Sequence, residues 1–429
     1  MTDSGTGPVA GRVRAGAAGL ATVDALPTSV RAVVGHYAET GSFDPAALAV
    51  KRRVDGRMDA ILAEATGHVG DALAEAFDRE SVSFRYDTKL TMPVELTLGY
   101  VYGRATATAP PGVDPVDGTR RTDALSRLRR RRHDGPDAES VVADVRRAES
   151  VAGLVVAALL DGDMRDAIND AEFGDFEVDF EVAGDDERRR VAEVAQSALQ
   201  TLVERRFDAF PRAVREAYDE AVAVSEAHQD RDEDFRALMA AAAGEPERVA
   251  GEEAGGRSGV GGVSADVADL ADPDAARERL REAYKHAAFE EPPALFTDEE
   301  LTLPYLKTQY GRVGVIYEGM MGMFRAAGVD VERAFERAVV LAIVGAQLWL
   351  DDVDDFAADM RDGQLTPVTA EYVLADDDRT AYRNAVELTG RYLDRARAAA
   401  VASDSAMTGI GVEYIHRAGE PERLPGSDG

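Results

Sequence analysis

Thirteen consecutive residues, Ala338 to Leu350 (AVVLAIVGAQLWL), carry no charge in a chain whose residues are 30% charged. On a helix such a run leaves no polar face, so it has to be buried on every side. It passes without a proline into DDVDDFAAD, which places five aspartates between 351 and 359. At about 100° per residue, Asp351, Asp355, Asp359 and Asp352 fall at roughly 0°, 40°, 80° and 100°, with Gln347 near −40°, so all five share one helix face. Solvating acids belong on exposed helices, whereas these continue a buried one. Carboxylates stacked this way repel each other and call for a cation. Hard oxygen donors suit Mg²⁺, which commonly bridges to a substrate phosphate.

The rest of the chain reads as helix with interruptions. Residues 28 to 78 carry apolar positions three and four apart (Val30, Val33, Val34, Tyr37, then Val54, Met58, Ile61, Leu62), the spacing of an amphipathic helix. Period-two alternation is confined to Phe173–Val182 (FGDFEVDFEV), a candidate short strand or ordered loop. Two stretches read as mobile insertions: 105–140, rich in Pro and Gly and ending in a basic run with Arg129 to Arg132, and 241–275, rich in Gly, Ala and acid. The arginine run is read as a solvated face or an intramolecular partner for acids. The expectation is a flexible segment over 1–27, one helical domain over 28–415 and a disordered tail over 416–429. No GxGxxG, Walker loop, GxSxG or internal repeat occurs.

Composition removes other classes. With no cysteine there is no disulfide framework, thiolate metal site or cysteine nucleophile. Eighty acidic residues against 49 basic give a net charge of −31, which disfavours nucleic acid and anionic lipid as partners. Only four of the basic residues are lysines: Lys51, Lys89, Lys285 and Lys307. Scarce lysine with abundant Asp, Glu, Ala and Gly resembles the proteins of extreme halophiles. In about 1 M salt the Debye length is near 3 Å, so most of that charge would serve solvation rather than steering. No apolar run is long enough for a membrane span and no leader pattern opens the chain, so a cytoplasmic protein without stable membrane insertion is expected.

The stretch QLWLDDVDDFAADMRDGQLTP resembles the second aspartate-rich motif of the class I isoprenoid synthases, above all the trans-prenyl diphosphate synthases. The resemblance implies an all-α fold, a bundle of long helices around an apolar cavity. It also implies that Asp351, Asp352 and Asp355 hold Mg²⁺ bridged to a prenyl diphosphate, with Asp359 nearby and Gln347 lining the site. Upstream, PYLKTQYGRVGVIYEGMMGMFRAAG is similar to the family's Lys-Thr helix, which puts Lys307 on the diphosphate and Thr308 beside it. A point-charge ammonium complements a phosphate oxygen and assists its departure.

Two further segments extend the likeness. YDTKLTMPVELTLGYVYG is similar to the family's isopentenyl diphosphate segment, with Lys89 and Pro93 in place and its arginine replaced. AESVAGLVVAALLDGDMRDAIND looks like the helix of the first aspartate-rich motif, in degenerate form: Gly162 stands where the first Asp belongs, leaving Asp163 and Asp166, with Asp161 one position early. Two readings follow. One is a divergent enzyme performing Mg²⁺-dependent ionisation of a prenyl diphosphate, followed by condensation or cyclisation. The other is a weakened prenyl-binding or regulatory subunit partnering an active synthase. A homodimer is expected by resemblance, with a heteromer under the second reading.

Overall fold

The structure, a computed structural model, describes residues 14, 17–21, 27–41, 45–86, 89–120, 137–171, 173–174, 176–229, 232–244 and 272–427. These are mostly helical, with two short antiparallel strand pairs, so the chain is all-α. Where the sequence suggests one domain, the chain divides into two compact units, one of residues 44–219 and 319–331, the other of 1–43, 220–318 and 332–429.

The first unit is built on α1 to α4 of its own run: α1 (Pro45–Ala76), α2 (Met92–Thr108), α3 (Ala138–Asp170) and α4 (Asp185–Phe207). Helix α1 buries Val54, Met58, Ile61, Ala65, Val69 and Leu73, each 3% exposed or less. Spacings of three and four place them on one stripe, and each large apolar side chain so buried contributes about 1.5–3 kcal/mol. Helix α3 starts where Asp137 accepts the backbone N–H groups of Glu139 and Ser140, and ends at Ala171 in the left-handed region. Its middle, Val151 to Ala157, is buried throughout. The alternating Phe173–Val182 segment yields strand Phe176–Val178. It pairs with Phe84–Tyr86, far away in sequence, and Phe84 stacks on Phe176 at 5.9 Å. Within the 105–140 insertion, helix α2 runs on to Thr108 and a hairpin of Val113–Asp114 and Thr119–Arg120 follows. Arg53 grips the Asp114 carboxylate with both guanidinium nitrogens. Residues 121–136, with the Arg129–Arg132 run, lie outside the described residues, as do 245–271 of the second insertion.

In the second unit, α5 (Arg333–Ala346) packs on α6 (Asp378–Ala402) and α7 (Ala406–Ala418). Every residue from Ala338 to Gly345 is buried, as the uncharged run requires. The amino-terminal helix Thr28–Thr40 packs against α7, and here the expected stripe is wrong. Val30 is 42% exposed, and Ala32, Gly35 and His36 face inward. Gly35 is inward because the Arg417 side chain lies directly over it, where a Cβ would collide. The segments expected to be loose are pinned where they are described. Arg14 donates to the Ala38 carbonyl at 3.0 Å and Arg417 to the Ala21 carbonyl at 2.9 Å. At the other end Leu424, 2% exposed, packs with Val353, Val368 and Ala385, and Arg423 pairs with Asp354 at 3.0 Å. Leu424 and Arg423, with the Tyr372 hydroxyl donating to the Pro425 carbonyl at 2.6 Å, dock a tail whose composition is otherwise that of a loop.

Candidate functional site

The acidic segment does not continue as one regular helix. After Ala346 the backbone widens into a π turn over Gln347–Asp351, closed by the Asp352 N–H on the Gln347 carbonyl. A single helical turn Asp352–Asp354 follows, then a bend at Asp355 (φ −90°, ψ −2°), then the helix Phe356–Asp362, stopped by left-handed Gly363. Single π turns inside helices recur at functional sites. This one changes which carboxylate faces inward. Regular 100° steps put Asp351 and Asp355 at the centre of the face, yet both are exposed, and Asp352 is the buried group at 1% exposure.

Asp352 carries the site's electrostatics. Its Oδ2 is sealed from solvent with no hydrogen-bond partner among the described residues. Burial holds its carboxyl well above the usual carboxylate range; Arg312 and a hydrogen bond from the Gln347 side chain pull the other way, while Asp351 and Asp359 push it further up. Asp359 is pushed up to about 7, first by burial, then by Asp355, with Arg312 again opposing. Gln347 donates its amide to Asp351. Asp354, on the far side of the turn, is taken by Arg423. Asp351 and Asp359 therefore repel Asp352, Asp355 and Asp351 repel Asp359, and Arg312 is a cation acting on both Asp352 and Asp359.

Arg312 belongs to a second π turn, Tyr310–Gly314, which directly follows the short helix Leu306–Gln309 bearing Lys307 and Thr308. Lys307 is half-buried, and its ammonium makes no ion pair or hydrogen bond among the described residues. Thr308 is buried, its hydroxyl directed to the carbonyls of Tyr305 at 3.1 Å and Tyr284 at 3.4 Å, so it serves the backbone rather than an open site. The helix opens at Tyr305, which sits in the left-handed region (φ 63°, ψ 2°), a conformation costing a bulky side chain about 1–3 kcal/mol. Gln347, Asp351, Asp352, Asp355, Asp359, Lys307 and Thr308 all belong to the second unit.

Lys89, Asp163 and Asp166 belong to the first unit. The side chain of Lys89 lies outside the described residues, and Pro93 is buried at the start of α2. Asp163 accepts the Tyr86 hydroxyl, and Asp166 is exposed. The carboxylate this helix buries is Asp161, at 2% exposure, held by Arg165 at 2.9 Å and the Gln196 amide at 3.0 Å. Burial raises its carboxyl above the ordinary value, and those two partners counter the shift.

Sequence reasoning missed Arg312, a residue of a chain rich in arginine, which nothing in composition marks. It also missed a buried polar network around Glu371 on the helix Pro367–Leu374, although Lys285, one of only four lysines, belongs to it. Two clefts of about 520 and 400 Å³ lie in the first unit, and no predicted site residue lines either. Among the described residues no three His, Asp or Glu side chains gather closely enough to cage a metal, and no helix is long and apolar enough to cross a membrane. No known protein family, curated protein or solved structure matches the chain.

Proposed function

We propose that the protein is a divergent class I isoprenoid enzyme that binds a prenyl diphosphate through Mg²⁺ at the Asp351–Asp359 cluster and ionises it for condensation or cyclisation. The observation that supports this most is Asp352. A desolvated carboxylate oxygen without a partner, among three further carboxylates, is a costly arrangement unless a cation completes it. The donors are hard oxygens, which fit Mg²⁺. With too few of them gathered to cage a metal, the remaining positions would fall to water and to phosphate oxygens, the usual way this ion is held in phosphate sites.

Asp351, Asp352 and Asp355 would hold the ion in part through water, since no three carboxylates among the described residues gather closely enough to cage it directly, and Asp359 would be ionised by its presence. Bound there, Mg²⁺ would supply Lewis-acid charge to the departing diphosphate. The chain's own groups add to it. Among the described residues the ammonium of Lys307 has no partner to give up before it meets a phosphate oxygen. Arg312, one turn further, would exchange its acidic neighbours for the phosphate once these are neutralised. The bulk of α5 excludes water from the root of the cluster through Ala338–Gly345, which strengthens each of these interactions.

A second reading, a weakened prenyl-binding or regulatory subunit, draws on the first-motif helix, where Asp163 and Asp161 already serve Tyr86, Arg165 and Gln196. Pyrophosphate release from C10 to C20 prenyl diphosphates in molar KCl separates the two. The enzyme reading predicts release that requires Mg²⁺ and is lost in Asp352→Asn, and any dependence on isopentenyl diphosphate marks elongation. Binding of the same substrates without release supports the subunit reading.

A further inference from the structure

Glu371 is 2% exposed and yet saturated with partners. Its Oε1 accepts the Tyr305 hydroxyl at 2.7 Å and lies 2.7 Å from Lys285 Nζ, and its Oε2 accepts Lys285 Nζ at 3.0 Å and the Asn384 amide at 3.1 Å. The Tyr305 phenol stays protonated, and so remains a donor, because burial and then the Glu371 carboxylate hold it well above its ordinary value. Lys285 also stands over the Tyr305 ring at 5.9 Å, and its carbonyl accepts the Tyr305 N–H at 2.6 Å. Main-chain ties close the frame: Tyr392 donates to the Pro304 carbonyl at 2.7 Å, and Tyr284 to the Leu365 carbonyl at 2.9 Å.

The Glu371 bond to its hydroxyl, the Lys285 ammonium over its ring and the Lys285 carbonyl on its N–H all meet at Tyr305, the residue with the unfavourable backbone. Tyr305 would relax out of the left-handed region if its ring and N–H were released, and the helix it opens would turn with it. Two residues on, that helix carries Lys307, whose ammonium has no tether of its own among the described residues. An ion pair this deep adds little net stability, since desolvation offsets its attraction. It does fix geometry. Lysine suits the place better than arginine, because a compact charge fits between one carboxylate and a ring face where a planar fork would not.

We infer that Glu371, Lys285 and Tyr305 are positioning residues that lock the strained turn and thereby aim Lys307 at a diphosphate. This rests on the proposed function, through the role of Lys307. The probe is inorganic pyrophosphate with Mg²⁺ in molar KCl, titrated by calorimetry into the full chain. The variants are Tyr305→Phe, Glu371→Gln and Lys307→Ala, with each of the first two also combined with the third. Coupled residues differ from independent ones in such cycles. Lys307→Ala is expected to weaken binding about tenfold, and Tyr305→Phe and Glu371→Gln about threefold to tenfold with Lys307 present but less than about twofold without it. If Glu371→Gln does not fold, Tyr305→Phe, which keeps the ring, decides alone. Equal losses with and without Lys307, or no loss, overturn the positioning role while leaving the site intact. Absence of pyrophosphate binding by the unaltered protein, or indifference to Lys307→Ala, overturns the diphosphate reading and this inference with it.

Discussion

Asp352 sets the behaviour of the site at the scale of a single residue. Its folded-state proton affinity lies above the ordinary value of 3.8, so the folded chain holds a proton that the unfolded chain releases. The same holds for Asp359 between 3.8 and about 7. For a carboxyl shifted upward, the folded state loses stability as pH rises through that window. Without divalent metal, the difference in melting temperature between Asp359→Asn and the unaltered protein should therefore grow in the variant's favour from pH 4 to pH 7 and vanish below pH 4. A constant difference contradicts the shift. Asp352→Asn should stabilise the metal-free protein at pH 7, because the amide carries no charge to be desolvated or to repel Asp351 and Asp359. Denaturant melts would show it, and a loss instead would mean that Oδ2 has a partner.

At the scale of the element, the π turn decides which residue is the centre of the site. The burial of Ala338–Gly345 was legible because an uncharged run has only one place to go. The register beyond it was not. A change from i+4 to i+5 bonding over Gln347–Asp351 leaves no mark in composition, so even spacing placed Asp351, Asp352 and Asp355 on one face without showing that Asp352 alone is buried. On the first-motif helix the buried carboxylate, Asp161, lies two residues before Asp163. The Glu371 network was invisible for another reason: its members lie 13 to 86 residues apart and meet only through tertiary packing. The π turn is braced by Trp349, whose indole donates to the His416 carbonyl at 3.1 Å and whose ring fills the space where a Cβ on Gly419 would sit. Gly419→Ala should displace that ring, cost about 1–3 kcal/mol by overpacking and shift the emission of the chain's one tryptophan. Leu424→Ala should cost about 2–5 kcal/mol, because the leucine closes the cluster beside Val353. A loss under about 0.5 kcal/mol, typical of a surface change, would return the tail to the loose state its composition suggests.

For the whole molecule, the charge of −31 is the dominant fact. Lowering the Debye length from about 10 Å to 3 Å between 0.1 and 1 M salt removes most of the repulsion between exposed acids. The melting temperature should rise with KCl across that range, and a flat or falling curve would remove the halophilic explanation of the composition. That the chain is helical was legible from its periodicity. That it divides into two units was not, because 319–331 rejoins 44–219 and is marked by no linker composition. The two aspartate-rich segments fall in different units, and the claim made for function rests on the second alone. Its most direct test is a Mg²⁺ titration with pyrophosphate in molar KCl, read by Trp349 fluorescence and calorimetry, on the unaltered protein and on Asp352→Asn. Saturable binding that Asp352→Asn abolishes is the predicted result, and equal binding by both proteins, or none by either, would contradict a cation site at Asp352.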